Sequence, residues 1–140
     1  MKKYLSLLPI TLIAACTSVQ VKPLDYSYHV LHVCIKDNPA VIVPGFIEVI
    51  DDLFQNHLIS TEVYSRTRPD HCEFKLTYTA TRNWDFAPYL SHAELRLFQS
   101  NTRIAQAEYH LRGGGGMSLM KWSSVKSKMT PVVNKLLAEY

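Results

Sequence analysis

Three stretches of the chain alternate apolar and polar residues, and this alternation constrains the fold more strongly than any other feature of the sequence. In residues 72–81 the even positions are apolar or aromatic and the odd positions are polar. Residues 89–97 and 105–112 also alternate over most of their length, here with the apolar residues at odd positions, and four polar residues (99–102) lie between them. A strand with this period buries one face and leaves the other in water. The pattern therefore predicts an antiparallel sheet that needs a cover on one side, with the last two strands forming a hairpin.

Two stretches with helical spacing can supply that cover. Residues 46–58 carry apolar side chains three or four positions apart, with acidic and amide side chains opposite. This spacing is typical of an amphipathic helix. Residues 122–140 repeat it, and Pro131 either kinks the second helix or restarts it at Thr130.

Two further stretches predict strands. Residues 28–35 are mainly apolar or β-branched at both odd and even positions, which suits a central strand buried on both faces. Residues 61–66 predict a short strand. The element order becomes β-α-β-β-β-β-α. It predicts an α+β fold, a two-layer sandwich with a mainly antiparallel sheet of about 4–5 strands and both helices on one face. A right-handed crossover through the first helix would make its flanking strands parallel.

The first sixteen residues have the composition of an export signal. Lys2 and Lys3 give a positive start, residues 5–12 are mainly apolar, and small residues precede Cys16. A spanning helix needs about 20 apolar residues, so this segment is too short to be one. We predict a secretory signal. Cys16 at the end of the signal allows two interpretations. One is a lipoprotein signal, and the other is an ordinary signal peptide followed by a chance cysteine.

The end of this segment resembles the lipobox of bacterial lipoproteins. Ile13, Ala14 and Ala15 stand directly before Cys16, although Leu is usual at the first of these positions. In that class the thiol is diacylated, the signal is cut before the cysteine, and the new amine takes a third acyl chain. The resemblance implies acyl chains on Cys16 that hold the protein at a membrane. Thr17 in place of Asp implies the periplasmic face of the outer membrane rather than the inner membrane.

The signal also sets the domain boundaries. We predict a signal peptide over residues 1–15, a lipidated N-terminus and tether over 16–25, and a single domain over 26–140. Cleavage leaves 125 of the 140 residues, a size typical of one domain. Of the formal net charge of +3, Lys2 and Lys3 lie in the signal, which leaves +1. This near-neutral balance argues against nucleic acid as a partner.

Besides Cys16, the chain has two cysteines, Cys34 and Cys72. In an oxidising exported location, an even pair predicts a disulfide. A zinc site built from these cysteines with His32 and His71 is the alternative, since thiolate and imidazole are zinc ligands. We favour the disulfide because the sequence has no C-x-x-C pair and because His29 would point away from His32. We therefore predict neither a metal nor a cofactor.

The sequence carries no recognisable catalytic motif. It lacks G-x-S-x-G, and the glycines at 113–116 fit neither a phosphate-binding loop nor a dinucleotide site. Cys34 lies in an apolar stretch, which does not favour a reactive thiolate. We therefore expect a protein that is not an enzyme. Residues 113–116 are interpreted as a hinge for the last helix, or alternatively as a flap beside a ligand groove.

Four aromatic residues are candidates for a partner-binding surface. Trp84, Phe86 and Tyr89 fall in or beside an aromatic-rich connection at 83–88, and Trp122 precedes the last helix. Exposed aromatic residues beside Met or Arg often anchor interfaces. Burial at the ends of the core is the alternative for the same residues.

Four segments carry a family resemblance: the lipobox, residues 34–39, residues 84–97 and residues 114–122. Together they look like a family of small Gram-negative lipoproteins without a defined activity. The resemblance implies lipidation at Cys16 and a compact α+β domain, and it transfers no catalytic residue. We predict a lipid-anchored, non-catalytic binding or assembly module with an envelope protein as its partner. The alternative is a small-ligand or metal-binding lipoprotein that uses His32 or His71 in a groove under the glycine loop.

Overall fold

A computed structural model of the chain describes residues 17–116 and 118–140. The predicted lipidation site Cys16 and the predicted signal over 1–15 lie outside the described residues. No helix in the described ranges is long and apolar enough to cross a membrane. The described chain forms six strands and two α-helices, which are β1 (Thr17–Lys22), β2 (His32–Lys36), α1 (Phe46–Asn56), β3 (Ser60–Tyr64), β4 (Phe74–Asp85), β5 (Ala87–Gln99), β6 (Thr102–Leu111) and α2 (Val125–Leu136).

The strands form one mixed sheet in the order β1-β6-β5-β4-β2-β3. The strands β1, β6, β5 and β4 pair antiparallel, whereas β2 is parallel to both β3 and β4. The α+β fold predicted from the sequence is confirmed, and so is the parallel pair of strands around the first helix. The sheet contains more strands than predicted, because the sequence of β1 has no clear strand pattern.

The two helices pack against each other and cover one face of the sheet, as predicted. Phe46 and Phe54 of α1 and Met129 and Leu136 of α2 are fully buried in the layer between helices and sheet. Pro131 lies inside α2, which runs unbroken past it. The opposite face of the sheet is polar, as the alternation of β4, β5 and β6 requires.

The prediction of a tether over 16–25 is wrong for the described part of that range. Residues 17–22 form β1, an edge strand whose Val19 and Val21 pair with Tyr109 and Ala107 of β6. Leu24 is fully buried, and its N–H donates to the carbonyl of Leu136 at 2.8 Å. Two valines are too few to reveal a strand by alternation, so pairing with β6 decides the structure.

The strand predicted to begin at residue 28 begins at His32 instead. A 3-10 turn at Tyr26–Tyr28 precedes it, capped by Asp25, whose Oδ1 accepts from the Ser27 N–H at 2.8 Å. His29 then takes a left-handed conformation with φ +49°. The Asp25 cap and this reversal explain why the apolar run does not start the strand at residue 28.

The sheet has two ends with different contents. Thr17 of β1 pairs with Leu111, the last residue of β6, and the tip of the β4–β5 hairpin projects beyond this level. We call this the anchor end, because Thr17 directly follows Cys16, the predicted lipidation site. At the opposite end, called the far end, Gln99 pairs with Phe74.

Candidate functional site

The β4–β5 hairpin ends in an exposed aromatic tip at the anchor end. Phe86 connects the two strands and has φ +60°. Trp84 pairs with Pro88 next to the last residue pair of the ladder. The residues predicted as a connection at 83–88 are therefore mostly strand. Trp84 is 74% exposed and Phe86 is 91% exposed, so both rings are available to a partner.

The prediction that Tyr89 belongs to an exposed partner-binding surface is wrong. Tyr89 lies in β5 and is 8% exposed, because its ring points into the core below α2. Lys128 of α2 places its Nζ 5.6 Å from the centre of this ring. Tyr89 therefore supports the hairpin from inside.

Trp122 is half-buried and braces the tip. Its indole N–H donates to the carbonyl of Asp85 at 2.8 Å, and the Nζ of the buried neighbour Lys121 lies 2.5 Å from Oδ2 of Asp85. The 3-10 turn Leu119–Trp122 is thereby fixed against the hairpin. Leu119 and Met120 of this turn are themselves exposed. We call Trp84, Phe86, Leu119 and Met120 the anchor-end patch.

A buried lysine links this patch to α2. The Nζ of Lys128 donates to the carbonyl of Leu90 at 2.9 Å and also to the carbonyl of Lys121. Burial lowers the pKa of Lys128 below the ordinary lysine value. The two carbonyls compensate the buried ammonium, so one side chain holds the hairpin, the 3-10 turn and the helix together.

The four glycines at 113–116 form a tight turn between β6 and the anchor-end patch. All four have positive φ, which side chains disfavour. Gly115 is buried, and a Cβ built on it would lie 2.8 Å from Cβ of Lys121. Glycine is therefore required at Gly115 both by the backbone conformation and by close packing.

Cys34 and Cys72 are joined in a disulfide, as the sequence predicts. The bond ties β2 to the segment before β4, on the polar face at the far end of the sheet. It also excludes the zinc site considered from the sequence, because bonded sulfurs are not thiolate ligands. His32 and His71 lie at this far end and the glycine turn at the anchor end. The predicted groove that would combine them is therefore wrong.

Glu62 stands between the two histidines of the far end. Its Oε2 is 2.7 Å from Nε2 of His71 and 3.4 Å from Nε2 of His32. The hydrogen bond with His71 is the main reason why the pKa of Glu62 is lowered. Sequence reasoning missed Glu62, since only the parallel register of β2 and β3, which places Glu62 beside Cys34, brings it to this position.

Comparisons with known proteins identify likenesses of fold. No protein-family model matches the chain, and no curated protein sequence matches it. Solved structures that are similar to it include two of PelC. A variant of PelC from Paraburkholderia phytofirmans, solved as a dodecamer, has a TM-score of 0.55 at 9% identity over 83% of this chain and 96% of PelC. The PelC dodecamer in a second crystal form has a TM-score of 0.53 at 8% identity with the same coverage.

At such low identity the likeness concerns the fold alone. It covers 96% of the PelC chain and 83% of this one, so it concerns most of the domain and not a fragment. The chain is therefore an α+β protein that is similar in fold to the subunit of the PelC dodecamer.

Proposed function

We propose that this chain is a lipid-anchored envelope protein at the periplasmic face of the outer membrane, where it acts without catalysis by binding other proteins. Acyl chains on Cys16 supply the anchor, and several chains on one residue bind far more stably than one. The anchor-end patch supplies the binding surface. The observation that supports this function best is the exposure of Trp84 and Phe86 on a braced hairpin at the anchor end.

The position of the patch indicates where its partner lies. Cys16 immediately precedes Thr17, so the acyl chains bring the anchor end of the sheet to the bilayer surface. Thr17 pairs with Leu111, which is level with about Ser91 of β5, so the hairpin tip at Phe86 reaches about five residues, or ~16 Å, beyond the level of Thr17. We therefore propose a partner that is itself bound at the membrane surface, with Trp84 and Phe86 as the anchoring side chains.

The edges of the sheet support self-association as part of this function. In the portion of the chain that the structure describes, β1 and β3 are the edge strands, and each has a sheet neighbour on one side. Edge strands present backbone donors and acceptors that readily pair with another chain. Because the similar PelC structures are dodecamers, we propose that copies of this chain also associate.

In-cell photocrosslinking tests the binding surface. A photoreactive phenylalanine analogue at Phe86 should give crosslinks to one or a few envelope proteins, and Trp84→Ala should reduce their yield severalfold. The same analogue at Leu31 is a matched control, because Leu31 is also 74% exposed but precedes β2 at the far end. Equal crosslinks at both positions, or adducts with lipid alone at Phe86, would contradict a protein partner at the patch.

A further inference from the structure

We propose that His32, Glu62 and His71 form a binding site for a divalent transition-metal ion such as Zn²⁺. This inference goes beyond the proposed function and does not depend on it. The site lies on the polar face of the sheet at the far end, which points away from the membrane if Cys16 is acylated.

Three separate segments bring the ligands together. His32 begins β2 and Glu62 lies within β3, where the parallel register pairs His32 with Ser60 and Cys34 with Glu62. The third ligand, His71, precedes Cys72, which the disulfide fixes to Cys34. Since the backbone of each segment is held by the sheet or by the disulfide, the ligands converge before any ion binds, as a selective site requires.

The distances between the ligand atoms fit a zinc-sized ion. One atom from each residue, together with Sγ of Cys34, lies within 4.8 Å of all the others. Zinc at about 2.0–2.2 Å from each ligand needs ligand atoms about 3.3–3.5 Å apart in tetrahedral geometry. The 3.4 Å between Nε2 of His32 and Oε2 of Glu62 already meets this, and the 2.7 Å between Glu62 and His71 must lengthen by less than about 1 Å.

The hydrogen bonds of Ser60 give His32 the tautomer that a metal ligand needs. The Ser60 hydroxyl donates to the carbonyl of Leu31 at 3.2 Å. Its oxygen therefore accepts from Nδ1 of His32, 2.7 Å away, which places the imidazole proton on Nδ1 in the neutral ring. The lone pair on Nε2 then faces Glu62, an arrangement typical of metal-binding histidines, whose second nitrogen is held by a hydrogen bond.

The disulfide limits the protein ligands to three. Sγ of Cys34 lies 3.7 Å from Nε2 of His32 but is bonded to Cys72. Two imidazoles and one carboxylate form a known zinc set that leaves a further position for water. All three side chains are partly exposed, so an ion can enter from solvent without opening the fold.

Zinc titration of the full-length, disulfide-bonded chain, purified in detergent, tests the site. Calorimetry should show one Zn²⁺ per chain, and His71→Ala and Glu62→Gln should each weaken binding by at least about tenfold. Ser60→Ala should weaken it about tenfold as well, because the orienting hydrogen bond is lost. Bound Co²⁺ should give the visible absorption of a four- or five-coordinate ion in the wild type but not in His71→Ala.

His92→Ala is the matched control, since Nε2 of His92 contacts Oε1 of Glu108 at 2.9 Å on the same polar face. This variant should keep the wild-type affinity. Three results would overturn the proposal: no stoichiometric Zn²⁺ uptake by the wild type, unchanged affinity in both His71→Ala and Glu62→Gln, or an equal loss in His92→Ala. Thermal unfolding of each variant without metal verifies that the fold is retained, because all the changed residues are at least partly exposed.

Discussion

At the scale of single residues, Lys128 connects stability to pH. Its ammonium is buried in the folded chain and solvated in the unfolded chain, so its pKa is lower in the folded state. Between the lowered folded pKa and the ordinary value of 10.5, the unfolded chain binds more protons. Stability therefore rises with pH through this window as far as Lys128 is concerned.

The comparison with Lys128→Met isolates this effect. The free energy of unfolding of the wild type should increase relative to that of Lys128→Met as the pH rises from 7 towards 10.5. Urea unfolding of both proteins at four or five pH values measures the difference and cancels the shared titration of the tyrosines. Parallel pH dependences of the two proteins would show that Lys128 is equally protonated in both states.

The disulfide between Cys34 and Cys72 should contribute about 4 kcal/mol to the free energy of unfolding, because it closes a loop of roughly 39 residues. Reductant should therefore lower the urea midpoint of the wild type substantially. A variant carrying both Cys34→Ala and Cys72→Ala should already have the lower midpoint and should not respond to reductant. A wild-type midpoint that is insensitive to reductant under unfolding conditions would refute this contribution.

The residues at the far end and the aromatic residues near the anchor-end patch differ in how far the sequence predicts their positions. The disulfide can be predicted from the sequence, because the sequence shows a predicted export signal and, besides Cys16, one pair of cysteines. Glu62 has no such signal, since it is one acidic residue in a short strand and becomes a neighbour of His32 and His71 through the register of parallel strands. Tyr89 is buried because it shares the inward face of β5 with Ala93 and Leu95, although it follows the exposed Trp84 and Phe86 closely in the sequence.

At the scale of elements, the glycine turn determines the position of the anchor-end patch. Gly115→Ala should destabilise the protein by at least about 2 kcal/mol, because positive φ is strained for Ala and the new Cβ collides with Lys121. Gly113→Ala is the control: it has a similar φ of +59° but nothing within 4 Å of the new Cβ, so it should cost about 1 kcal/mol. Chemical denaturation distinguishes the two, and equal costs would show that close packing at Gly115 has no effect.

The periodicity of the sequence predicts the long strands and helices, whereas the short strands form because they pair with neighbouring strands. The alternation of β4, β5 and β6 and the helical spacing of α1 and α2 are long enough to be read directly. The strand β1 is not, because two valines among polar residues gain their burial from β6. The aromatic-rich residues 83–88 predict a connection, but Lys121 and Trp122 contact Asp85 from outside the sheet and hold it in the ladder.

At the scale of the whole molecule, the anchor-end patch and the proposed metal site lie at opposite ends of one sheet. Acylation at Cys16 would therefore present the patch to the membrane surface and the metal site to the periplasm. The edge strands β1 and β3 remain at the sides, where neighbouring anchored copies would meet.

Self-association should be visible in the mass of the intact protein extracted from membranes. Light scattering in detergent should give several copies per particle, and Val19→Pro should reduce this number, because Pro cannot donate from an edge strand and disturbs β1. Leu58→Ser is a control at an exposed apolar residue outside both edges. A monomeric wild type at all concentrations tested would contradict association through the sheet.

The most direct test of the central claim is acyl labelling at Cys16. Cells grown with an alkyne palmitate analogue should incorporate the label into the wild-type protein, which should then separate with the outer membrane in density fractionation. Cys16→Ser should lose both the label and the membrane association. Label that persists in Cys16→Ser, or an unlabelled wild type released with the soluble periplasm, would contradict a lipid-anchored protein.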